Sequence, residues 1–518
     1  MPKWTQRGDP KRPNATPAGA TPAGATVAIP PHPLRKWIKV AAVAVAVVVI
    51  AGGIVYLVRR DTTRCADGVA RHGPHNECVG VSDGSYVFAE ELRQAEEKIR
   101  AENDWVLRQH REYVNIAYLE PMTLVDNDVT TYTAVRHGLE GAYLAQRRAN
   151  RTNEWNGEKP LVRLLLANPG SQARQWQPVI DQLAGATDPT GKVAAVAGLG
   201  QSIGGTLDAT KRLSEHKMIM VGQVITANDF SDVDRLARVV PTNTNEISAL
   251  VEHLKIDTKR AMLIQDTNRD DQFATNFGEL FRKFYPQDGR LLIEPVEEYE
   301  SSDENTNNFQ RIAPEICVAN PDAILFAGRF RDLTRFLDVL AHRPCPQVRL
   351  RILTGDTILD VTGNEQVRRD LGANIQLEYL HLADSHAWEI PGWDPALNQS
   401  TAYFTTPHGD GTFRGEFPGE SLDDGLAVLA FDAVGTAVSS VREGADLTRL
   451  HDQSAIAGAS GWISLNSGDP ERKAMSLLTL TAAPGATTTT VTRKITSCTG
   501  TPFQPRKPGD PDLPACPK

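Results

Sequence analysis

No two of the six cysteines stand two residues apart, so the chain carries no zinc-binding C-x-x-C spacing. No H-E-x-x-H string occurs, and the histidines are scattered without a Ser or Cys partner in a recognisable motif. Neither catalysis nor a bound metal or cofactor is expected. Positive charge is also short. A net charge of −9 leaves no excess of Lys and Arg to neutralise phosphates, which argues against a nucleic-acid partner. At 518 residues the chain is too long for one compact core, so two or three domains are expected.

Against these absences stands one long apolar run. Val40 to Val58, "VAAVAVAVVVIAGGIVYLV", carries no charge and could cross about 30 Å of hydrocarbon as a helix. Lys3, Arg7, Lys11, Arg12, Arg35, Lys36 and Lys39 precede it, while only Arg59, Arg60 and Arg64 follow closely. That asymmetry places residues 1–37 in the cytoplasm and everything after the span outside, in a single-pass arrangement at the cell membrane. The run is long for a cleaved signal peptide, and no A-x-A site precedes Asp61, so a retained anchor over 38–58 is expected. The arm before it repeats TPAGA and is rich in Pro and Ala. Such a segment cannot bury enough apolar surface to offset chain entropy, and it reads as a disordered spacer or a polyproline docking strip.

All six cysteines fall on the outer side, where thiols oxidise. Neighbours in sequence suggest Cys65–Cys78, Cys317–Cys345 and Cys498–Cys516, although six cysteines allow fifteen connectivities. From residue 113 onward short apolar strands alternate with amphipathic helices. Strands are expected at 113–122, 161–170, 193–198 and 218–226, then at 260–266, 290–299, 323–329 and 351–356. Helices are expected at 129–150, 172–185, 204–216, 244–255, 271–284, 306–317 and 330–342. Two such series imply two α/β lobes, each a parallel sheet flanked by helices, with ligands beyond the carboxyl ends of the strands. The charged run 90–112 reads as a helix in an extracellular stalk or as a cover for one lobe. The loop "HGDGTFRGEF" at 408–417 reads as a surface insertion, with metal binding as the competing interpretation.

The segment "VAAVAGLGQSIGGTLDATKRL", 193–213, looks at first like a phosphate cradle, with Gly198, Gly200 and Gly204 between strand and helix. It follows the third strand of its lobe rather than the first. No Asp or Glu ends the strand about twenty residues later, and Gln201-Ser202-Ile203 replaces the Lys-Ser/Thr of a P-loop. A helix N-terminus with free N–H groups beside Ser202 suits a single carboxylate better.

Four segments together resemble the extracellular substrate-binding proteins of branched-chain amino-acid ABC transporters, which have the type I periplasmic-binding fold. They are "VAAVAGLGQSIGGTLDATKRLSEHKMIMVGQVIT", "ARVVPTNTNEISALVEHL", "PDAILFAGRFRDLTRFLDVL", and "LAVLAFDAVGTAVSSV" with "IAGASGWISLNSGDPERKAMSLL". The resemblance spans about 112–482 and implies two lobes that close over a small ligand. It divides the chain into a stalk at 59–111, a first lobe from 112–242 with 358–440, a second lobe from 243–357 with 441–482, and a tail at 483–518.

By position, the resemblance puts Gln201 and Ser202 on the first lobe's ligand loop, with Val224 and Thr226 at the next strand's end. Phe273 matches an aromatic that packs on the ligand, Asp356 a partner for its amino group, and Arg329 stands where a second aromatic is common. Gln201-Ser202 in place of two hydroxyl residues, and Arg329 in place of a ring, set this chain apart. Arg329 reads either as an anion-binding or ring-stacking group or as a surface partner of Asp332; capping alone would account for Ser202 or Asp356. The implied function is a membrane-tethered solute-binding protein for an amino acid or related polar metabolite, serving ABC uptake or sensing. Its partners would then be a small-molecule ligand and an ABC permease or membrane signalling protein. The alternative is an enzyme on a related α/β scaffold that binds a nucleotide cofactor.

Overall fold

Strands β5 (Leu161–Asn168) and β7 (Ile219–Val224) are buried at every residue, as strands covered on both faces must be. The computed structural model describes residues 39–49, 63–126, 128–185, 191–301, 306–357, 364–389, 399–407, 409–444, 455–466, 468–483 and 486–496. These fall in two units, Met1–Thr62 and Thr63–Lys518. In the first, α1 is a helix over 39–49 with exposed side chains. The rest of the apolar span and the Pro/Ala-rich arm lie outside the described residues. Among the described residues no helix is long and apolar enough to cross a membrane.

The second unit is built on two eight-stranded sheets. One runs β1 (Arg64–Ala66), β2 (Val69–His72), β3 (Glu77–Ser82), β5, β4 (Tyr113–Leu119), β6 (Val193–Gln201), β7 and β8 (Leu236–Arg238). It is parallel from β5 to β8, with Ile116 opposite Leu164, and antiparallel from β1 to β5. The other runs β10 (Leu291–Leu292), β9 (Arg260–Asp266), β12 (Ala323–Ala327), β13 (Leu350–Thr354), β14 (Ile375–His381), β19 (Ala474–Ala483) and β20 (Ala486–Thr496). Strand β11 (Glu297–Tyr299) also pairs with β9. This sheet is parallel as far as β14 and antiparallel beyond it.

The helices are α2 (Arg93–Arg108), α3 (Tyr132–Arg151), α4 (Trp176–Ala184), α5 (Gly204–Glu215), α6 (Asn243–Leu254), α7 (Gln272–Phe284), α8 (Thr306–Ala319), α9 (Phe330–Ala341), α10 (Glu365–Leu371), α11 (Gln399–Thr405), α12 (Phe413–Glu416) and α13 (Leu426–Arg442). Helix α13 is apolar nearly all round and buried from Leu426 to Ser440, so it forms the centre of a layer rather than its surface. It crosses α3 at Gly141, where a Cβ would lie 1.9 Å from the Ala427 carbonyl oxygen. Only glycine permits that approach.

The sequence-based divisions need correction at several places. Residues 64–108 are no free stalk: β1–β3 extend the first sheet, and α2 packs on it through Ala95, Ile99 and Val106. Asn103 fixes that packing, donating to the Leu164 carbonyl at 2.8 Å and accepting from the Leu164 N–H at 2.9 Å. The many charges of this helix hide its apolar stripe. Helix α10 packs on α9 and β14 joins the second sheet rather than the first lobe, because β14 pairs with β13 on one side and β19 on the other. Residues 486–496 of the expected tail form β20.

Strand 290–299 is two short pieces flanking Pro295, which has no N–H to give a ladder. Helix 172–185 begins only at Trp176, since Gln172 and Ala173 take φ of 52° and 53°. In the 408–417 loop His408 lies outside the described residues; Gly409, Asp410, Arg414 and Gly415 are exposed, while Phe413 and Phe417 are buried and anchor the segment. Disulfides join Cys65 to Cys78 and Cys317 to Cys345; Cys498 and Cys516 lie outside the described residues.

Candidate functional site

The two lobes meet at the end of β6, where Phe273 and Arg329 of the second reach Gln201 and Ser202. There the strand leaves the ladder through Gly198, Leu199 and Gly200, at φ of 91°, 75° and 71°, and its register with β7 slips before Gln201. Glycine takes such angles freely, whereas Leu199 costs about 1–3 kcal/mol there and is held by burial of its side chain. The strained turn aims Gln201 and Ser202 at the second lobe.

Ser202 is buried and committed to the protein itself. Its hydroxyl oxygen accepts from the N–H groups of Thr226 (3.0 Å) and Ala227 (3.2 Å), tying the β6 and β7 loops together. Its carbonyl oxygen accepts from the Phe273 N–H and from Arg329, each at 3.2 Å, both from the second lobe. Residues 200–204 also spell G-x-S-x-G, a nucleophile-elbow string. The hydroxyl's recorded partners are those two backbone N–H groups, with no histidine among them, so Ser202 has the bonding of a latch rather than a nucleophile.

The glycine turn is occupied in the same manner. Glu120 is buried against it, with the Gly200 backbone and Gln223 (3.1 Å) as donors, and burial pushes its pKa up to about 8. A carboxylate already takes the place a phosphate would need.

Arg329 is the residue around which the site is organised. It stands at the N-cap of α9, buried, with its guanidinium forked onto Asp271: Nε to Oδ2 at 2.6 Å and Nη2 to Oδ1 at 2.8 Å. Nη1 donates to Gln201 at 3.1 Å, and the guanidinium lies 4.9 Å from the centre of the Phe273 ring. Burial opposes its charge, but Asp271 more than restores it and holds the pKa above the ordinary arginine value. The pairing with a surface Asp332 is therefore replaced. Asp332 instead meets Arg331 and Arg335. Asp271 does double duty, since its Oδ1 also caps α7 through the Ala274 N–H at 3.1 Å.

Arg329 separates two spaces. The inner one, about 20 Å³, is lined by Gln201, Val224, Asp356, Asp424 and Leu426 among others, and has room for little more than one water. Asp356 is half-buried there near the buried Glu246 of α6, and desolvation pushes both carboxyl pKa values up while Arg329 draws that of Asp356 back. The outer cleft, about 850 Å³, is lined from the first lobe by Gln172, Gly204 and Asp208 and from the second by Asp270, Arg331 and Arg335. Of the seven residues placed by resemblance, Gln201, Val224, Arg329 and Asp356 meet at the inner cavity. Ser202, Thr226 and Phe273 line neither space and support the others from behind. Thr226 is held at both backbone groups, its carbonyl accepting from the Asn243 N–H at 2.7 Å. The sequence reading missed Asp271, Glu246 and Glu120. Asp271 alone had a local signal, its position just ahead of an amphipathic helix.

Among solved structures the chain is similar to a leucine-binding protein, LivK, from Thermotoga maritima, with 16% identity over 74% of this chain and 98% of that one and a TM-score of 0.54. It is similar to LivJ, a branched-chain amino-acid transporter substrate-binding protein from Streptococcus pneumoniae solved with isoleucine, with 15% identity over 74% and 99% and a TM-score of 0.54. A solute-binding protein of an ABC transporter from Rhodopseudomonas palustris, solved with 3,4-dihydroxybenzoic acid, matches with 12% identity over 74% and 98% and a TM-score of 0.55. No family model and no curated protein sequence matches the chain. The fold is therefore the type I periplasmic-binding fold.

Proposed function

We propose that the chain is an extracellular solute-binding protein that closes its lobes over a small polar ligand, an amino acid or related metabolite, for ABC uptake or sensing. One observation carries this reading: a cleft of about 850 Å³ opens between the lobes, lined from both by groups of both charges, with the Arg329–Asp271 pair at its floor. A zwitterion would find Arg331 and Arg335 for its carboxylate and Asp208 or Asp270 for its ammonium. Gln201, Ser202, Val224, Thr226, Phe273, Arg329 and Asp356 form the floor and its support, so access to the inner cavity requires the lobes to part. The solved relatives bound to isoleucine and to a hydroxylated benzoate support a small carboxylate as the ligand class. Val40–Val58 is proposed as the membrane tether and an ABC permease or signalling protein as the partner, on the strength of the apolar span and the basic residues ahead of it.

Thermal-shift measurements with amino acids and aromatic carboxylates test the reading, because a ligand that binds only the folded form raises its stability. A shift by one of these classes that Arg335→Ala and Asp270→Asn each weaken is expected. Stabilisation by nucleotides alone would favour the enzyme alternative.

A further inference from the structure

Away from the cleft floor, α3 presents His137 and Glu140 three residues apart, hence on one helix face. The loop ahead of α13 brings Glu420 against them, and one donor atom from each of the three lies within 4.8 Å of the other two. Two features set this group apart from an ordinary ion-pair cluster. Glu140 is completely buried, and neither carboxylate oxygen has a hydrogen-bond partner; Arg136 Nε lies 3.7 Å from its Oε1. His137 is oriented by Asp424, whose Oδ2 lies 2.6 Å from Nδ1, while the Asp424 Oδ1 is itself fixed by the Leu426 N–H at 3.0 Å. That is the carboxylate–histidine arrangement that fixes the tautomer of a metal-binding imidazole and leaves Nε2 as the ligand atom. A hydrogen bond of 3.2 Å between Nε2 and the Glu420 Oε2 holds these two donors side by side.

Glu140, Glu420 and Asp424 bring three carboxyl groups together in a mostly buried place, and Arg136 donates to Glu420 at 2.8 Å. Arg136 has about a quarter of its side chain exposed, so its tip can turn outward when a metal enters.

We propose that His137, Glu140 and Glu420 form a binding site for a divalent cation of the zinc class, with Asp424 as the positioning residue behind His137. One imidazole and two carboxylates leave a fourth position for water, and suit zinc better than calcium or magnesium, which take oxygen alone. The ion would pin the 417–425 loop to α3. Because Asp424 also lines the inner cavity, the ion would brace one wall of it. The inference is independent of the ligand proposed for the cleft.

The test uses the full chain, stripped with a chelator, dialysed against zinc chloride and assayed for bound metal by mass spectrometry. One zinc per chain is expected in the wild type. Glu140→Gln, which keeps the side chain's volume and removes a buried charge, should abolish it without loss of the circular-dichroism spectrum, and His137→Asn should do the same. Asp424→Asn should weaken binding by about 10- to 100-fold, the usual effect of removing a partner behind a ligand. Zinc retained by both Glu140→Gln and His137→Asn would overturn the proposal. So would the absence of bound zinc in the wild type, which would leave a protonated His137 as the cation that balances these carboxylates.

Discussion

The inner cavity, about 20 Å³, and the outer cleft, about 850 Å³, meet at Arg329 and surround it with opposite conditions. On the inner side Asp356 is half-buried beside Val224 and Leu426, and Glu246 near it is fully buried. On the outer side Asp208 and Asp270 are exposed and Arg335 is partly so. Charges shut away from water must find each other, because an unpaired buried charge is costly, and the bidentate Arg329–Asp271 fork is the result. Charges at a wet rim are already solvated, so they can exchange water for a ligand at small cost. Within one fold, then, the charges around Arg329 are paired with one another, while those of the mouth face water.

The sharpest way to break this comparison is Arg329→Ala. Asp271 would be left buried without its cation, and stability should drop by about 3–5 kcal/mol in urea unfolding. A drop below about 1 kcal/mol would mean that the fork is not the structural floor described above. Ser202→Ala comes next. Its hydroxyl satisfies two buried N–H groups, so a loss of about 1–3 kcal/mol in stability is expected, rather than the loss of ligand affinity that the family pattern suggests. Calorimetry on a folded Ser202→Ala protein that showed weakened ligand binding at unchanged stability would reverse that assignment.

The pH dependence separates the cavity from the rest of its lobe. Burial raises the Asp356 pKa, so the unfolded chain ionises first as pH rises past the ordinary carboxylate range while the folded state keeps its proton. Stability therefore declines with rising pH until the raised pKa is passed. Glu378 on β14 does the reverse. Burial opposes its charge, but hydrogen bonds from His253 and from Nε and Nη2 of Arg351 hold its pKa at about 2 against an ordinary 4.5. Its contribution is full above pH 4.5 and lost as pH falls toward 2. Urea midpoints measured from pH 2 to 8 should show the first slope reduced in Asp356→Asn, with Glu120 and Glu246 still contributing to it, and the second reduced in Glu378→Gln. Equal slopes in both variants would show that the two carboxyls sit in like surroundings. The smallest effect belongs to the rim: Arg335→Ala should change stability by no more than about 0.5 kcal/mol, since its pairing with Asp332 is partly exposed.

Features that depend on near neighbours in the chain could be read from it. The alternation of apolar strands and amphipathic helices places Gln201 and Arg329 at strand ends. The Gly198–Gly200 turn announces a backbone that only glycine adopts easily. The stripe Ala95, Ile99 and Val106 was present too, but the charges around it masked the face it buries. Other features joined residues that sequence spacing cannot connect. Asp271 lies 58 residues from Arg329, and Glu420 lies 283 from His137. A lone His-x-x-Glu on a helix is ordinary until a loop from elsewhere brings a third donor.

From the order of residues alone follow the α/β class, the elements of both series, the turn that aims Gln201 across the cleft and the apolar run ahead of the folded unit. Each rests on local periodicity or on the backbone preferences of a few adjacent residues. Only the tertiary structure decided that β14, β19 and β20 complete the second sheet, that Arg329 turns inward to Asp271, and that the space behind it closes to about 20 Å³. Strand pairing and the partnering of buried charges are settled by which groups the whole chain removes from water together, and that is a property of no single segment.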